Sequence, residues 1–283
     1  MHIKILGSAG QGGLPTWNCA CTNCQASRFG RSHAAPRTQT QIAFSPLDGV
    51  WFLIGASPDL RAQILAAGEL SPAADASSPI AGLILPSADL EMVEGLLQLN
   101  DARGLFILAT SAVQRVLKTE NRIFEFLNRP NPQVQWQAIL PRRRVGCHLS
   151  ENPGDAPTFF YSAIPLGGSY PDYLSDESRR ACTPDEARVG LLLEQADKKF
   201  FVAPQIQSGH SDWLKAAESA DISILDASLW RDLTEHLPKG SGGRKVLVHL
   251  HHESPLLDEH RDEYRAAVEA GFEIAYDGMD IRL

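Results

Sequence analysis

The order of short apolar segments constrains the fold of this chain more than any other sequence feature. Each half contains β-hairpins together with units in which a buried strand precedes a helix. PIAGLIL at 79–85 and LFILA at 105–109 each precede a run with apolar residues at helical spacing. In the second half, the hairpin VGLLLEQ and KFFVAP precedes the helix pattern SDWLKAAESA, capped by Ser211, and the buried strand ISILDA. Two sheets between outer layers of helices explain this order best, although the periodicity also permits one doubly wound sheet.

Turn and cap residues set the boundaries of several elements. TQIAFS at 40–45 and VWFLIG at 50–55 flank SPLDG, whose proline, aspartate and glycine predict a hairpin turn. Proline suits the first position of a helix, and a helix is therefore predicted from Pro58 to about residue 67. A further helix is predicted over 257–270, before two final strands, FEIAY and MDIRL.

Composition excludes several classes of protein. The 283 residues are 43% hydrophobic and 21% charged, which is enough apolar mass for a sizeable core, and we expect one domain over 1–283. Acidic residues outnumber basic ones by 34 to 26, and the net charge of -8 argues against a nucleic acid partner. No apolar run reaches the roughly 18 residues of a membrane span, and the first residues do not form a signal segment. A cytoplasmic protein without a membrane partner is predicted.

Three of the five cysteines lie within six positions, which argues against a disulfide framework. Cys19, Cys21 and Cys24 form a C-x-C-x-x-C motif, whose thiolates can converge from one loop on a soft metal ion such as zinc. A closed tetrahedral site needs a fourth ligand. The segment VHLHHESP offers three: His249, His251 and His252. The alternative is three small buried thiols without a metal.

The same histidine segment could divide its side chains between two sites. If the strand predicted for KVLVHLHH continues to its end, His249 and His251 lie on one face and His252 lies on the other. One face could then serve a catalytic pocket while the other serves zinc. Histidines that are only hydrogen-bonded at the end of a strand are the alternative.

Acidic residues follow the strand predicted at 79–85. Asp89, Glu91 and Glu94 come at the position where α/β folds gather active-site groups. Spacing alone favours the alternative, in which they form the solvated face of the helix that follows.

Several uncommon segments resemble the coenzyme PQQ synthesis protein B family: MHIKILGSAGQGGLPTWNCACTNC, PRTQTQIAFS, GASPDLRAQI, and KVLVHLHHESPLLDE through AYDGMDIRL. The resemblance runs from the first residue to the last. It implies the α/β class, in the form of a metallo-β-lactamase-like αββα four-layer sandwich, and a structural zinc ion held by Cys19, Cys21 and Cys24. It also implies a role in making pyrroloquinoline quinone (PQQ). Family members are thought to hydroxylate the tyrosine ring of a Glu-Tyr intermediate with iron and oxygen, and an older suggestion is transport of the product.

The chain departs from this family at the second metal site. Where the family has two aspartates and a histidine before Gly-Leu-Leu, this chain has Asp89, Glu91 and Met92. A thioether is a poor ligand for oxygen-activating iron. A Gly-His pair of the family is also missing, and only His236 could replace it. Asp226 and His249 match two further positions of the family. The resemblance therefore implies a carboxylate-rich set of candidate catalytic, iron-binding residues: Asp89, Glu91, Asp226, His236 and His249.

Two hypotheses about function follow from these residues. In the first, the chain is an iron-dependent oxygenase or oxidoreductase that oxidises a PQQ precursor or a related amino-acid-derived or peptide substrate. In the second, it is a paralogue that keeps the fold and the zinc but has lost catalysis, and binds a small molecule or a partner protein. Hydrolysis with two metal ions is a weaker third hypothesis, because the histidine cluster it needs is missing. The sequence leaves a homodimer open.

Overall fold

Two seven-stranded sheets form the centre of the molecule, whose structure is a computed structural model. The structure describes all residues except 31–33, 73–76, 100–103, 129–133, 150–154, 207–211, 238–239 and 241, and the side chains of Arg122 and Asn128. None of the helices in this described part of the chain is long and apolar enough to cross a membrane.

The first sheet comes from the first half of the chain, with the last strand added at its edge. Its strands are β1 (His2–Gly7), β2 (Gln41–Leu47), β3 (Val50–Ile54), β4 (Ile80–Leu85), β5 (Leu105–Thr110), β6 (Val134–Ile139) and β14 (Met279–Arg282). They are ordered β14-β1-β2-β3-β4-β5-β6, antiparallel as far as β3 and parallel from β3 to β6. The predicted hairpin of β2 and β3 is confirmed.

The second sheet has the same plan. Its strands are β7 (Arg144–Cys147), β8 (Phe159–Pro165), β9 (Val189–Gln195), β10 (Lys198–Ala203), β11 (Ile222–Asp226), β12 (Arg244–Val248) and β13 (Phe272–Ile274). They are ordered β13-β12-β11-β10-β9-β8-β7, antiparallel from β7 to β10 and parallel from β10 to β13. The similar order of elements in the two halves of the sequence therefore corresponds to two sheets with the same plan.

Helices cover the outer faces of both sheets. The α-helices are α1 (Thr22–Arg28), α2 (Leu60–Ala66), α3 (Leu90–Val93), α4 (Ser111–Arg115), α5 (Asp176–Arg180), α6 (Asp212–Ser219), α7 (Trp230–His236) and α8 (Asp262–Glu269). Short 3-10 helices cover Gly68–Leu70, Glu94–Leu99, Arg122–Asn128, Pro184–Glu186, Ala227–Leu229 and Pro255–Leu257, and a π-helical turn covers Val116–Glu120. The predicted cap of α6, Ser211, lies outside the described residues.

Three apolar clusters fill the spaces between four layers. One lies between the two sheets and contains side chains such as Phe44 and Phe52 from the first sheet and Tyr161 from the second. A second packs the first sheet against its helices, and a third packs the second sheet against α1, α6, α7 and α8. This arrangement confirms the αββα four-layer sandwich and excludes the doubly wound sheet. Burial of apolar side chains stabilises each interface between layers, because the apolar faces of the sheets must be covered from water.

The helix predicted after β4 is shorter and less regular than its periodicity suggests. The α-helix ends at Val93 and continues as a 3-10 helix. Gly95 donates its backbone N–H to Ala56 O at 2.9 Å, outside the helix. A Cβ atom added at Gly95 would lie 2.2 Å from Ser57 O, so only glycine allows this close approach to the loop after β3. The close packing fixes the position of the acidic residues at the start of α3.

The buried side chain of Gln41 holds that loop from the other side. Its Nε2 donates to Ile54 O and Gly55 O, both at 3.1 Å, and its Oε1 accepts from Ser57 N at 2.9 Å. Because Gln41→Leu leaves these buried backbone groups unpaired, we expect the free energy of unfolding to fall by about 2 kcal/mol in urea titrations. The exposed Gln137 in β6 gives the control, and Gln137→Leu should change the same quantity by less than about 0.5 kcal/mol. Equal effects of the two substitutions would contradict this role.

Candidate functional site

The three neighbouring cysteines converge with one histidine at the start of α1. Candidate ligand atoms of Cys19, Cys21, Cys24 and His252 all lie within 4.8 Å of one another. Cys21 Sγ and His252 Nδ1 are 3.6 Å apart. Zinc–sulfur and zinc–nitrogen bonds of about 2.3 and 2.05 Å at a tetrahedral angle place two such ligands about 3.6 Å apart. The donor set and its spacing therefore fit a tetrahedral zinc ion.

Hydrogen bonds hold the two segments of this cluster together. Asn23 is buried, and its Nδ2 donates to His252 O at 3.0 Å and to Ser254 O at 3.1 Å. Cys21 caps α1, because its Sγ accepts from Cys24 N at 3.5 Å. Burial acts to raise the pKa of the Cys21 thiol, but hydrogen bonds with His252 and Cys24 outweigh it and lower this pKa to about 7. The thiolate, which is the form that binds zinc, is therefore favoured at Cys21.

The three adjacent histidines have different surroundings. His251 is 60% exposed, its Nδ1 accepts from Glu253 N at 3.3 Å, and its ring lies 4.1 Å from that of His252. His249 contacts carboxylates of other elements. The structure therefore brings His252, and neither His249 nor His251, to the cysteines.

The alternation predicted for this segment is wrong. Strand β12 ends at Val248, and His249 has a φ of 59°, in the left-handed region. Side chains alternate between two faces only within a strand, so the turn at His249 separates it from His251. Each of the three histidines points to a different environment.

Substitution of His252 and of His251, in separate variants, distinguishes the proposed zinc ligand from the histidine next to it. We expect His252→Ala to remove most of the zinc, because only three of the four ligands then remain. His251→Ala should leave the zinc content unchanged, because this imidazole is exposed and lies outside the four-residue cluster. Metal analysis of both purified variants tests this prediction, and loss of zinc from both would contradict it.

Four of the five residues predicted for a second metal site are linked near the carboxyl ends of the parallel strands. Asp226 ends β11, and His249 follows β12. Glu91 Oε2 lies 3.0 Å from His249 Nε2, and Asp226 Oδ1 lies 3.5 Å from His249 Nδ1. The fourth residue, Asp89, joins this set through Ser87 and Gln205.

His249 lies between two carboxylates, with 20% of its side chain exposed. Burial acts to lower its pKa, but hydrogen bonds and charges of Asp226 and Glu91 outweigh this effect and raise the pKa to about 10. Asp226 is itself held by backbone N–H groups, because Ile206 N donates to its Oδ2 at 3.2 Å and Ser228 N donates to its Oδ1 at 2.8 Å. Both ring nitrogens of His249 are therefore engaged by carboxylates.

An arginine engages both oxygens of Asp89. Arg188 Nε donates to Asp89 Oδ2 at 2.8 Å, and its Nη2 donates to Oδ1 at 3.0 Å. Each side chain of this pair is only 14% exposed. Ser87 Oγ donates to Asp89 Oδ2 at 2.8 Å and lies 3.1 Å from Gln205 Oε1, while Gln205 Nε2 donates to Glu91 Oε1. A continuous polar network thus runs from Arg188 to Asp226.

The remaining residues expected at this site lie elsewhere. His236 is exposed at the end of α7, where its Nδ1 lies 2.8 Å from Asp232 O of its own helix. Met92 is 1% exposed and packs in the apolar cluster beneath the first sheet, with its sulfur against Gly55. Among the described residues, only the cysteine cluster brings three or more candidate ligand atoms within 4.8 Å of one another.

A cleft of about 430 Å³ opens beside this network. Asp89, Glu91 and Arg188 form one part of its wall, and residues 169–173 form another. The half-exposed ring of Tyr173 lies in this second part, and its hydroxyl donates to Ala88 O at 2.5 Å. The size is within the range of pockets that bind small molecules.

Three further residues of this site, Gln205, Arg188 and Tyr173, are not among those predicted from the sequence. Gln205 comes just after β10, and its position at the carboxyl end of a strand parallel to β11 could have indicated it. Arg188 precedes β9, and Tyr173 lies in a loop. Neither has a local pattern that points to the cleft.

Comparison with known proteins gives consistent matches over the whole chain. Residues 50–254 match the family model described as "Beta-lactamase superfamily domain". Coenzyme PQQ synthesis protein B of Azotobacter vinelandii and that of Stutzerimonas stutzeri are each 34% identical to this chain, with 100% of both chains covered.

Solved structures show the same fold. The Zn²⁺-bound PqqB of Methylobacterium extorquens superimposes with a TM-score of 0.83 at 27% identity, and 100% of each chain is covered. A diphosphatase of the PhnP family superimposes with a TM-score of 0.66 at 17% identity, over 100% of this chain and 97% of that one. This second likeness concerns the fold alone.

Proposed function

We propose that the chain acts in the synthesis of PQQ or a related quinone cofactor by binding an amino-acid-derived molecule, because it belongs to the coenzyme PQQ synthesis protein B family. In this proposal the molecule occupies the cleft beside Arg188, and a structural zinc ion occupies the cysteine cluster. The metallo-β-lactamase fold provides the frame for both. The cytoplasmic location predicted from the sequence belongs to the same proposal.

Cys19, Cys21, Cys24 and His252 would hold the zinc ion. Four protein ligands leave no open coordination position, which is typical of a structural and not a catalytic zinc site. The ion would join the start of α1 to the segment after β12. The solved PqqB of Methylobacterium extorquens is Zn²⁺-bound, which supports zinc as the metal ion.

The second set of residues does not fit an iron ion that activates oxygen. Such iron commonly takes about two imidazoles and one carboxylate on one face, with open positions. His249 is the one imidazole that the described residues bring to this network, and both its nitrogens contact carboxylates. Asp89 is held by Arg188, and Met92 packs in the apolar core. The geometry therefore favours the binding hypothesis over the oxygenase hypothesis.

The ion pair of Arg188 with Asp89 in the wall of the cleft is the observation that carries this proposal. It keeps the network charged and ordered without a metal ion. Three carboxylates and one guanidinium line the cleft, from Asp89, Glu91, Asp172 and Arg188. Each of these carboxylates has a basic partner, because Asp89 pairs with Arg188, Glu91 with His249 and Asp172 with Arg179. The ring of Tyr173 offers a surface for an aromatic side chain of the ligand.

Metal analysis and ligand titration test the proposal together. Protein purified without added metals should contain about one zinc ion and less than about 0.1 iron ion per chain. In calorimetric titrations, a glutamyl-tyrosine dipeptide should bind, and Tyr173→Ala should weaken this binding about tenfold. Tyr276→Ala provides the control, because Tyr276 is exposed outside the cleft. One iron ion per chain with hydroxylation of the dipeptide would instead establish the oxygenase hypothesis.

A further inference from the structure

We propose that the free edge of strand β6 pairs in the antiparallel direction with β6 of a second copy of this chain, so that the first sheets of two copies join into one continuous sheet. Strand β6 is the last strand of the first sheet, and no other strand of the described residues pairs with its outer side. The pairing uses neither the cleft nor the cysteine cluster. This inference is therefore independent of the proposed function.

The backbone of β6 has hydrogen-bonding groups that β5 does not use. All six residues of β6 pair with β5 in one parallel register without a bulge. Because successive backbone groups of a strand point to alternate sides, about half of the N–H and C=O groups of β6 point away from β5. Such groups are a template for a further strand. The end of this edge is fixed in space, because Arg142 N, just past the strand, donates to Ala163 O of β8 at 2.8 Å.

Strand β6 differs from the other edge strands because it carries no charge. Its sequence, VQWQAI, contains neither a charged residue nor proline. The other three edge strands each contain a charged side chain: Asp280 and Arg282 in β14, Arg144 in β7 and Glu273 in β13. Charged side chains and proline on an edge strand discourage pairing with another chain. Among the edge strands that the structure describes, β6 alone lacks this protection.

Exposed side chains without charge surround this edge. Gln135, Gln137 and Ala138 of β6 are exposed. Phe106, which is in register with Gln135 in the neighbouring strand, is 39% exposed, and Leu140 just after β6 is 46% exposed. Apolar side chains beside an open strand edge favour contact with another protein surface. A second chain on this edge would remove both of them from water.

The sequence of β6 is complementary to itself, and this favours a second copy over a different protein. Two identical antiparallel strands are related by a two-fold axis, and directly opposite residues lie on the same face. An axis through Trp136 places Gln135 opposite the partner's Gln137, where the two amides can exchange hydrogen bonds. It also places Val134 opposite the partner's Ala138, so that apolar side chains meet. No like charges face each other in this register.

Analytical ultracentrifugation of the zinc-loaded chain measures this association. Because two strands of six residues bury less surface than a standard interface, we expect a Kd of about 10 μM, with mostly dimer at about 200 μM chain and monomer at about 1 μM. Each copy has a net charge of -8, which opposes association, so the measurement is made in about 0.15 M salt to screen this repulsion.

Paired substitutions test the edge and the register together. Gln135→Lys with Gln137→Lys places like charges opposite each other at both amide pairs, and should weaken the dimer at least about tenfold. Gln135→Glu with Gln137→Lys places opposite charges at the same two pairs, and should dimerise as the unmodified chain does. Leu65→Lys with Gln98→Lys is the control, because both positions are exposed outside β6, and it should leave the Kd unchanged.

Three results would overturn the inference: a monomer of the unmodified chain at about 200 μM, an unchanged dimer of the double-lysine variant, or a charge-swapped variant as weak as the double-lysine one. Circular dichroism of each variant separates loss of pairing from loss of the fold. If the double-lysine variant does not fold, hydrogen exchange of the unmodified chain decides. Outward amides of β6 should exchange about fivefold more slowly at 200 μM than at 1 μM, and equal rates would contradict the pairing.

Discussion

Cys21→Ser is expected to reduce the zinc content to less than about 0.1 ion per chain and to lower the melting temperature by about 10 °C. The unfolded chain has no preformed zinc site, so the free energy of zinc binding stabilises the native state directly. Loss of a metal is among the mechanisms that cost about 4 kcal/mol or more, and a chain of this size shifts by roughly 2–4 °C per kcal/mol.

The position of Cys21 explains why this substitution should act on the whole cluster. Its sulfur lies 3.6 Å from His252 Nδ1 and accepts from Cys24 N, while its backbone N–H donates to Cys19 Sγ at 3.4 Å. A serine hydroxyl is a harder and less acidic donor than a thiol, and it does not replace a thiolate on zinc. The start of α1 would then lose a metal ligand but keep a side chain that can cap the helix.

Cys147→Ser is the control for the loss of a thiol. Burial raises the pKa of Cys147 to about 11, so this group remains a neutral thiol, and it lies in β7, outside the cysteine cluster. Metal analysis measures the zinc content of both variants, and calorimetry measures their melting temperatures. Full zinc content in Cys21→Ser would rule out the assigned ligand set.

The fold could be predicted from the sequence because its signals are local. Each buried strand and each turn is defined by residues within a few positions, as in the hairpin of β2 and β3. The cysteine cluster was also predictable, because three of its ligands lie within six positions of one loop. Which histidine is the fourth ligand depends on where β12 ends. The surrounding residues give no signal for the left-handed backbone at His249.

The polar network could be predicted only in part, because its contacts join distant segments. Asp89 and Arg188 are 99 positions apart, and Glu91 and His249 are 158 positions apart. Met92 shows a related limit. Its sequence position suggests a lost metal ligand, whereas its burial in the apolar cluster gives it an ordinary role in packing. Only the three-dimensional structure distinguishes these two roles.

His249→Leu is expected to lower the free energy of unfolding by about 3 kcal/mol at pH 6, because it leaves two carboxylates without their shared cation. The imidazolium contacts Glu91 on one side and Asp226 on the other. His251→Leu is the control, since His251 is mostly exposed, and it should change the same quantity by less than about 0.5 kcal/mol.

The pH dependence of this difference identifies the charge on His249 as its cause. The folded protein raises the pKa of His249 to about 10, against about 6.5 in an unfolded chain. The stabilisation is therefore fully present below pH about 6.5 and is lost as the pH rises through about 10, where the folded imidazole becomes neutral. Urea titrations at pH 6, 8 and 10 should show the gap between the unmodified chain and His249→Leu shrinking stepwise. A gap that stays constant or widens toward pH 10 would mean that His249 stabilises the network by packing and not as a cation.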